Sequence, residues 1–136
     1  MNRDLGAEGR RLIAEAEAIL RRDAAGAMGD GDFNLAVRRS QEVVELTLKG
    51  GLRLLGLDYP REHDAGQLFC EELRTRMGVA DAKVLSRLAA ASLWLAQARA
   101  PAFYHEKEYG AEDARQAVED AKFVMRAVRR VLAGTR

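Results

Sequence analysis

Apolar residues recur at Leu5, Leu12, Ile13, Ala16, Ile19 and Leu20 with the spacing of one helical face, while Arg10, Arg11, Arg21 and Arg22 fall elsewhere on the turn. The pattern predicts a helix over residues 5–25, ended by Gly26, Gly29 and Gly31. Asp32 is the expected N-cap of a second helix that carries Phe33, Val37, Val44, Leu48, Leu52 and Leu55. Val43 and Leu46 make this helix apolar on more than one side, which places it at the centre of the fold. Gly50-Gly51 interrupts it at about 1 kcal/mol per glycine relative to alanine, so a close approach by another backbone is expected there. Gly56 supplies a left-handed cap, and Pro60 keeps the helix from resuming.

Asp64 followed by Gln67 reads as a capping box that opens a third helix with Leu68, Phe69, Leu73 and Met77 inward, closed by Gly78. Asp81 caps a fourth, in which Leu85, Leu88, Ser92 and Leu95 share a stripe while Trp94 faces another side, towards the core or a subunit interface. Pro101 is expected to stop or kink it. Beyond the polar HEKEYG segment a last helix runs from about Glu112 to Leu132, with Ala114, Ala117, Val118, Ala121, Met125 and Val128 on its apolar face and Arg115 paired with Glu119 on the other. No run alternates with period two. The chain therefore reads as an all-α, up-and-down bundle of four to five helices, a single domain over residues 1–136.

Composition narrows the partners. A formal net charge of +1 excludes a strong global attraction to nucleic acid, so phosphate binding has to come from local basic clusters. Those clusters are built mainly of Arg, the better bidentate phosphate ligand; the lysines are Lys49, Lys83, Lys107 and Lys122. Cys70 is the sole cysteine, which excludes a disulfide framework within one chain and fits a reducing compartment. The MNRDLGAEGRR stretch has no apolar signal core, and no run approaches the roughly 20 apolar residues of a membrane span, so a cytoplasmic location is expected.

The candidate chemistry gathers on the second helix and the two loops that follow helices two and four. Glu45 and Lys49, one turn apart, form either a helix-surface ion pair or a polar notch in which Lys49 and Arg53 face a phosphate. His63 either holds the loop after Pro60 or contacts phosphate or base beside Arg61. Tyr104 and Tyr109 flank a polar loop from which they can stack on bases, but three tyrosines and one tryptophan are too few to mark a nucleic-acid platform in the sequence. Two histidines far apart, neither with a ligating partner at i, i+4, point to no metal site, and no cofactor is expected.

The order of segments, AEAEAIL, EVVELTLKGGLRLLG, YPREHD, QARAPAFY and YGAEDARQAVEDA, resembles the HEPN family (higher eukaryotes and prokaryotes nucleotide-binding domain) over nearly the whole chain. The resemblance implies a small helical bundle, frequent homodimers and a minimal nucleotidyltransferase as partner in a toxin–antitoxin-like pair. Gly50-Gly51 and the alanine-rich flank around Trp94 suit close helix approach in such a dimer. Many members are ribonucleases that carry Arg, four to six residues, then His; Arg99 and His105 meet that spacing with five. In such a pair histidine moves the 2′-hydroxyl proton and arginine stabilises charge on the phosphate. The ribonuclease toxins usually have four intervening residues and a tyrosine two after the histidine, where this chain has Lys107, and RAPAFY is closer to the non-nuclease members. The leading expectation is thus a nucleotide- or RNA-associated interaction module. The alternatives are a metal-independent endoribonuclease using Arg99 and His105, and a structural helical adaptor without ligand.

Overall fold

In the computed structural model, which describes residues 4–78 and 81–133, every regular element is helical. The first three residues of the MNRDLGAEGRR stretch lie outside the described range. The order is α1 (Leu5–Ala18), a π-helical segment (Ile19–Ala24), α2 (Ala25–Gly29), α3 (Phe33–Leu54), α4 (Gly66–Met77), α5 (Ala82–Tyr104) and α6 (Ala111–Leu132). The first three run on without a break in helical backbone, so the bundle has five rods.

The first rod is longer than its apolar pattern predicts. Buried positions fall at Ile13, Ala16, Ile19, Ala24 and Ala27, and the five-residue step from Ile19 to Ala24 does not fit an α-helix. A π turn absorbs the extra residue and keeps both side chains on the core. Gly26 does not end the rod; the chain reverses at Gly31, whose φ is 74°. Asp32 then caps α3, its Oδ1 accepting from Leu35 N at 3.2 Å.

Helix α3 is the axis of the fold and packs on α1, α5, α6 and the π segment. Val37, Val43, Val44, Leu48 and Leu52 are fully or almost fully buried. Gly50 lets α1 pass at backbone distance: a Cβ there would lie 2.9 Å from Gly9 O and 2.8 Å from Ile13. A Cβ on Gly51 would lie 2.6 Å from the Phe69 ring. The expected close approach is therefore real, but both glycines are used inside the chain and contribute nothing to a dimer surface.

Three local expectations are corrected. Asp64 does not open a capping box with Gln67; its Oδ1 accepts from Gly66 N and from Ser92 Oγ, tying the start of α4 to α5. Pro101 neither stops nor breaks α5, which continues to Tyr104; just past it Ala102 is buried and its carbonyl accepts from Asn34 Nδ2 at 3.2 Å. Arg115 pairs with Glu112, one turn towards the N-terminus, rather than with Glu119. Trp94 is pinned inside the chain, its Nε1 donating to Asp120 Oδ2 on α6 at 2.8 Å.

Candidate functional site

Along α3 the residues Asn34, Val37, Gln41, Val44 and Leu48 follow one another at three and four positions, so they share a row facing the core. Two of the five are amides, each nearly fully buried. A buried amide has to find partners, and these two find them on α5 and its following loop.

Gln41 is the middle of a chain of polar contacts. Its Oε1 accepts from Arg99 Nη1 at 2.6 Å, and its Nε2 donates to Glu45 Oε1 at 2.9 Å. The same Glu45 oxygen lies 2.9 Å from His63 Nδ1, and Lys49 Nζ donates to the other at 2.8 Å. Glu45 and Lys49 therefore do pair, but not on the surface: the lysine side chain is only 8% exposed. Burial alone would raise the Glu45 pKa; hydrogen bonds from Gln41, Lys49 and His63 together outweigh it and hold the carboxyl below its ordinary range.

Above this chain lies a groove of about 390 Å³ between α3 and α5. Arg38 and Glu42 line it from α3, Arg99, Phe103 and Tyr104 from α5, and His63 from the loop between α3 and α4. Arg38 stacks on Phe103 with its guanidinium carbon 4.6 Å from the ring centroid, and Phe103 meets Tyr104 edge-on at 4.8 Å. Both rings are substantially exposed, at 49% and 67%. Glu42 is drawn aside by Arg39 at 2.8 Å and stands 4.0 Å from Arg99, so cations outnumber carboxylates here. Gln41 uses one of Arg99's five N–H donors. The groove thus offers guanidinium donors beside exposed aromatic faces.

His105 does not line this groove. It lies six residues beyond Arg99, which on an α-helix is about 9 Å along the axis and about 240° around it. It also ends α5, adopting the left-handed conformation with φ 55° while its N–H returns to Pro101 O. Asn34 fixes this turn. Its Nδ2 donates to Lys107 O at 2.8 Å and lies 3.4 Å from His105 Nδ1, and its Oδ1 accepts from Tyr109 N at 2.8 Å. Within one chain, Arg99 and His105 occupy separate hydrogen-bonded settings.

Lys49, Arg53 and Arg61 line a separate, polar pocket of about 680 Å³ beyond the groove, together with Asp58 and Tyr59. His63 connects the two regions through Glu45. Cys70 is buried, its thiol donating to Leu85 O, and burial pushes its pKa up, which makes it a poor nucleophile. Among the described residues, no three His, Cys, Asp or Glu side chains are placed to hold a metal ion, and no helix is long and apolar enough to cross a membrane.

Sequence reasoning placed Arg99, His63 and Tyr104 among the candidates, and the structure brings these three into one groove. It missed Arg38, Phe103, Gln41 and Asn34. The available signal was the pair of amides at core positions of an otherwise apolar row.

Comparison with known proteins gives one match: the family model for the HEPN domain covers residues 10–131. No curated protein and no solved structure matches.

Proposed function

Because the chain belongs to the HEPN domain family, whose members are nucleotide- and RNA-related modules, we propose that it binds a nucleotide or a short single strand of RNA in the α3–α5 groove and does not cleave it unaided. The observation that carries this reading is the convergence of Arg38 and Arg99 with Phe103 and Tyr104 in one concavity. Single strands are held by cations that follow the phosphates and by rings on which bases stack, an arrangement tolerant of sequence. With Arg99 on Gln41 and His105 at the Asn34 turn, acid–base chemistry on a single phosphate has no assembled pair within the chain.

The family also suggests the partners: a second copy of the chain, and a minimal nucleotidyltransferase as the other half of a toxin–antitoxin-like pair. Leu93 on α5, 49% exposed and outside the lining of the groove, suits a protein contact beside it. The metal-independent endoribonuclease remains the competing reading. Incubating the protein with single-stranded RNA in the presence of a chelator decides between them. Binding without cleavage above a His105→Ala control is expected; chelator-resistant cleavage that disappears in that variant makes the protein a nuclease and overturns the reading.

A further inference from the structure

We infer that the pocket at the far end of α3 is a second anion site, built for a phosphomonoester or pyrophosphate group that takes the place of Asp58 on Arg53. This goes beyond the groove and does not rest on the groove's binding RNA. Lys49 and Arg53 both reach this pocket, with side chains only 8% and 9% exposed, and Arg61 stands at its rim. Burying two cations one helical turn apart is costly unless anions face them. Glu45 serves Lys49, and the carboxylate of Asp58 serves Arg53 through Nη1.

The two anions differ in kind. Glu45 is a largely buried member of the Gln41–His63 network, whereas the Asp58 side chain is 87% exposed and sits on the loop that follows the Gly56 turn. Tyr59, next in sequence, packs its ring on both cations, the centroid 5.1 Å from Lys49 Nζ and 4.5 Å from Arg53 Cζ. The cations are thus fixed by the protein, and the exposed carboxylate is the group an incoming anion can replace.

Donor capacity favours phosphate over a single carboxylate. An ammonium has three N–H donors and a guanidinium five. Lys49 uses one on Glu45, and Arg53 places Nη1 towards Asp58 and Leu57 O. A phosphomonoester or pyrophosphate brings three or more oxygens to these donors and to Arg61, replacing the exposed Asp58 carboxylate on Arg53 with several charge-assisted bonds. From Glu42 in the groove to Lys49 in this pocket is about 10 Å along α3, and the buried Gln41–Glu45–His63 network stands between them, so the two sites are neighbours with separate linings.

The chemistry is shared by a free nucleotide and by the terminal phosphate of an RNA, and the test separates them. Pyrophosphate is titrated calorimetrically into the full chain, into Asp58→Asn and into Arg61→Ala, both changes being at exposed positions. Asp58→Asn should bind about two- to fivefold more tightly, since the competing carboxylate on Arg53 has been removed, and Arg61→Ala about threefold more weakly. Anisotropy with 5′-phosphorylated and 5′-hydroxyl hexanucleotides follows. Preference for the phosphorylated strand, lost in Arg61→Ala, assigns the site to an RNA end; equal binding of the two strands with pyrophosphate binding retained assigns it to a free nucleotide. Absence of pyrophosphate binding, or identical affinities in all three proteins, overturns the second site while leaving RNA binding in the groove to stand or fall on Arg99.

Discussion

Glu45→Ala is expected to destabilise the fold by about 3 kcal/mol, the scale for leaving one partner of a buried ion pair uncompensated. The carboxylate accepts from Gln41, Lys49 and His63 at once, so its loss strands a buried amide and a largely buried ammonium together. Glu45→Gln is the milder change and isolates the charge. The carboxyl pKa is lowered in the folded chain, so its stabilising contribution is complete above the unfolded value, about 4.3, and is lost as pH falls through the folded value. Urea titrations at neutral pH and near pH 3 should show wild type losing this advantage over Glu45→Gln in acid. An equal difference at both pH values would mean that the charge is not what Glu45 contributes.

Gly9→Ala should cost about 2–3 kcal/mol, although alanine is the better helix former by roughly 1 kcal/mol. A Cβ on Gly9 would sit 2.6 Å from Gly50 O and 3.0 Å from Leu54 Cγ. The first neighbour is backbone in the last turns of α3 and cannot rotate away, so α1 has to move outward and loosen Ile13 and Ala16 from the core. Gly26→Ala is the internal control, because a Cβ there meets nothing within 4 Å. Chemical denaturation should show the first variant weakened and the second unchanged or stabilised. A stabilised Gly9→Ala would contradict the packing of α1 on α3.

Local grammar was readable wherever it depends on one residue and its neighbours. Asp32 and Asp81 cap the helices assigned to them, and Gly56 and Gly78 adopt left-handed conformations at the ends of theirs. Gly50-Gly51 was legible as a close approach because mid-helix glycine needs a compensation, but which backbone comes close is a long-range fact. Pro101 removes the donor to the carbonyl one turn back, yet α5 runs on to Tyr104, and next to it Asn34 holds the carbonyl of Ala102 from 68 residues away, a contact that no local rule contains. The polar core of the site was hidden for the same reason. Gln41 matters through what it touches on α5, and a sequence shows an amide in an apolar row without showing its partner. Arg99 and His105 illustrate the converse: close spacing in sequence fixed neither a shared direction nor a shared pocket once the helix ended between them.

The central claim is that the groove built on Arg99 and Arg38 holds phosphates, and the salt dependence of RNA affinity tests it most directly. For a single strand the slope of log K against log salt is about −0.7 per neutralised phosphate, so two arginine contacts predict about −1.4. Anisotropy titrations of a short labelled RNA across salt concentrations should give that slope for the wild type, a slope smaller by about 0.7 for Arg99→Ala, and the wild-type slope for His105→Ala. An unchanged slope in Arg99→Ala, or a slope lost only when His105 is replaced, would contradict the assignment of this groove as the phosphate site.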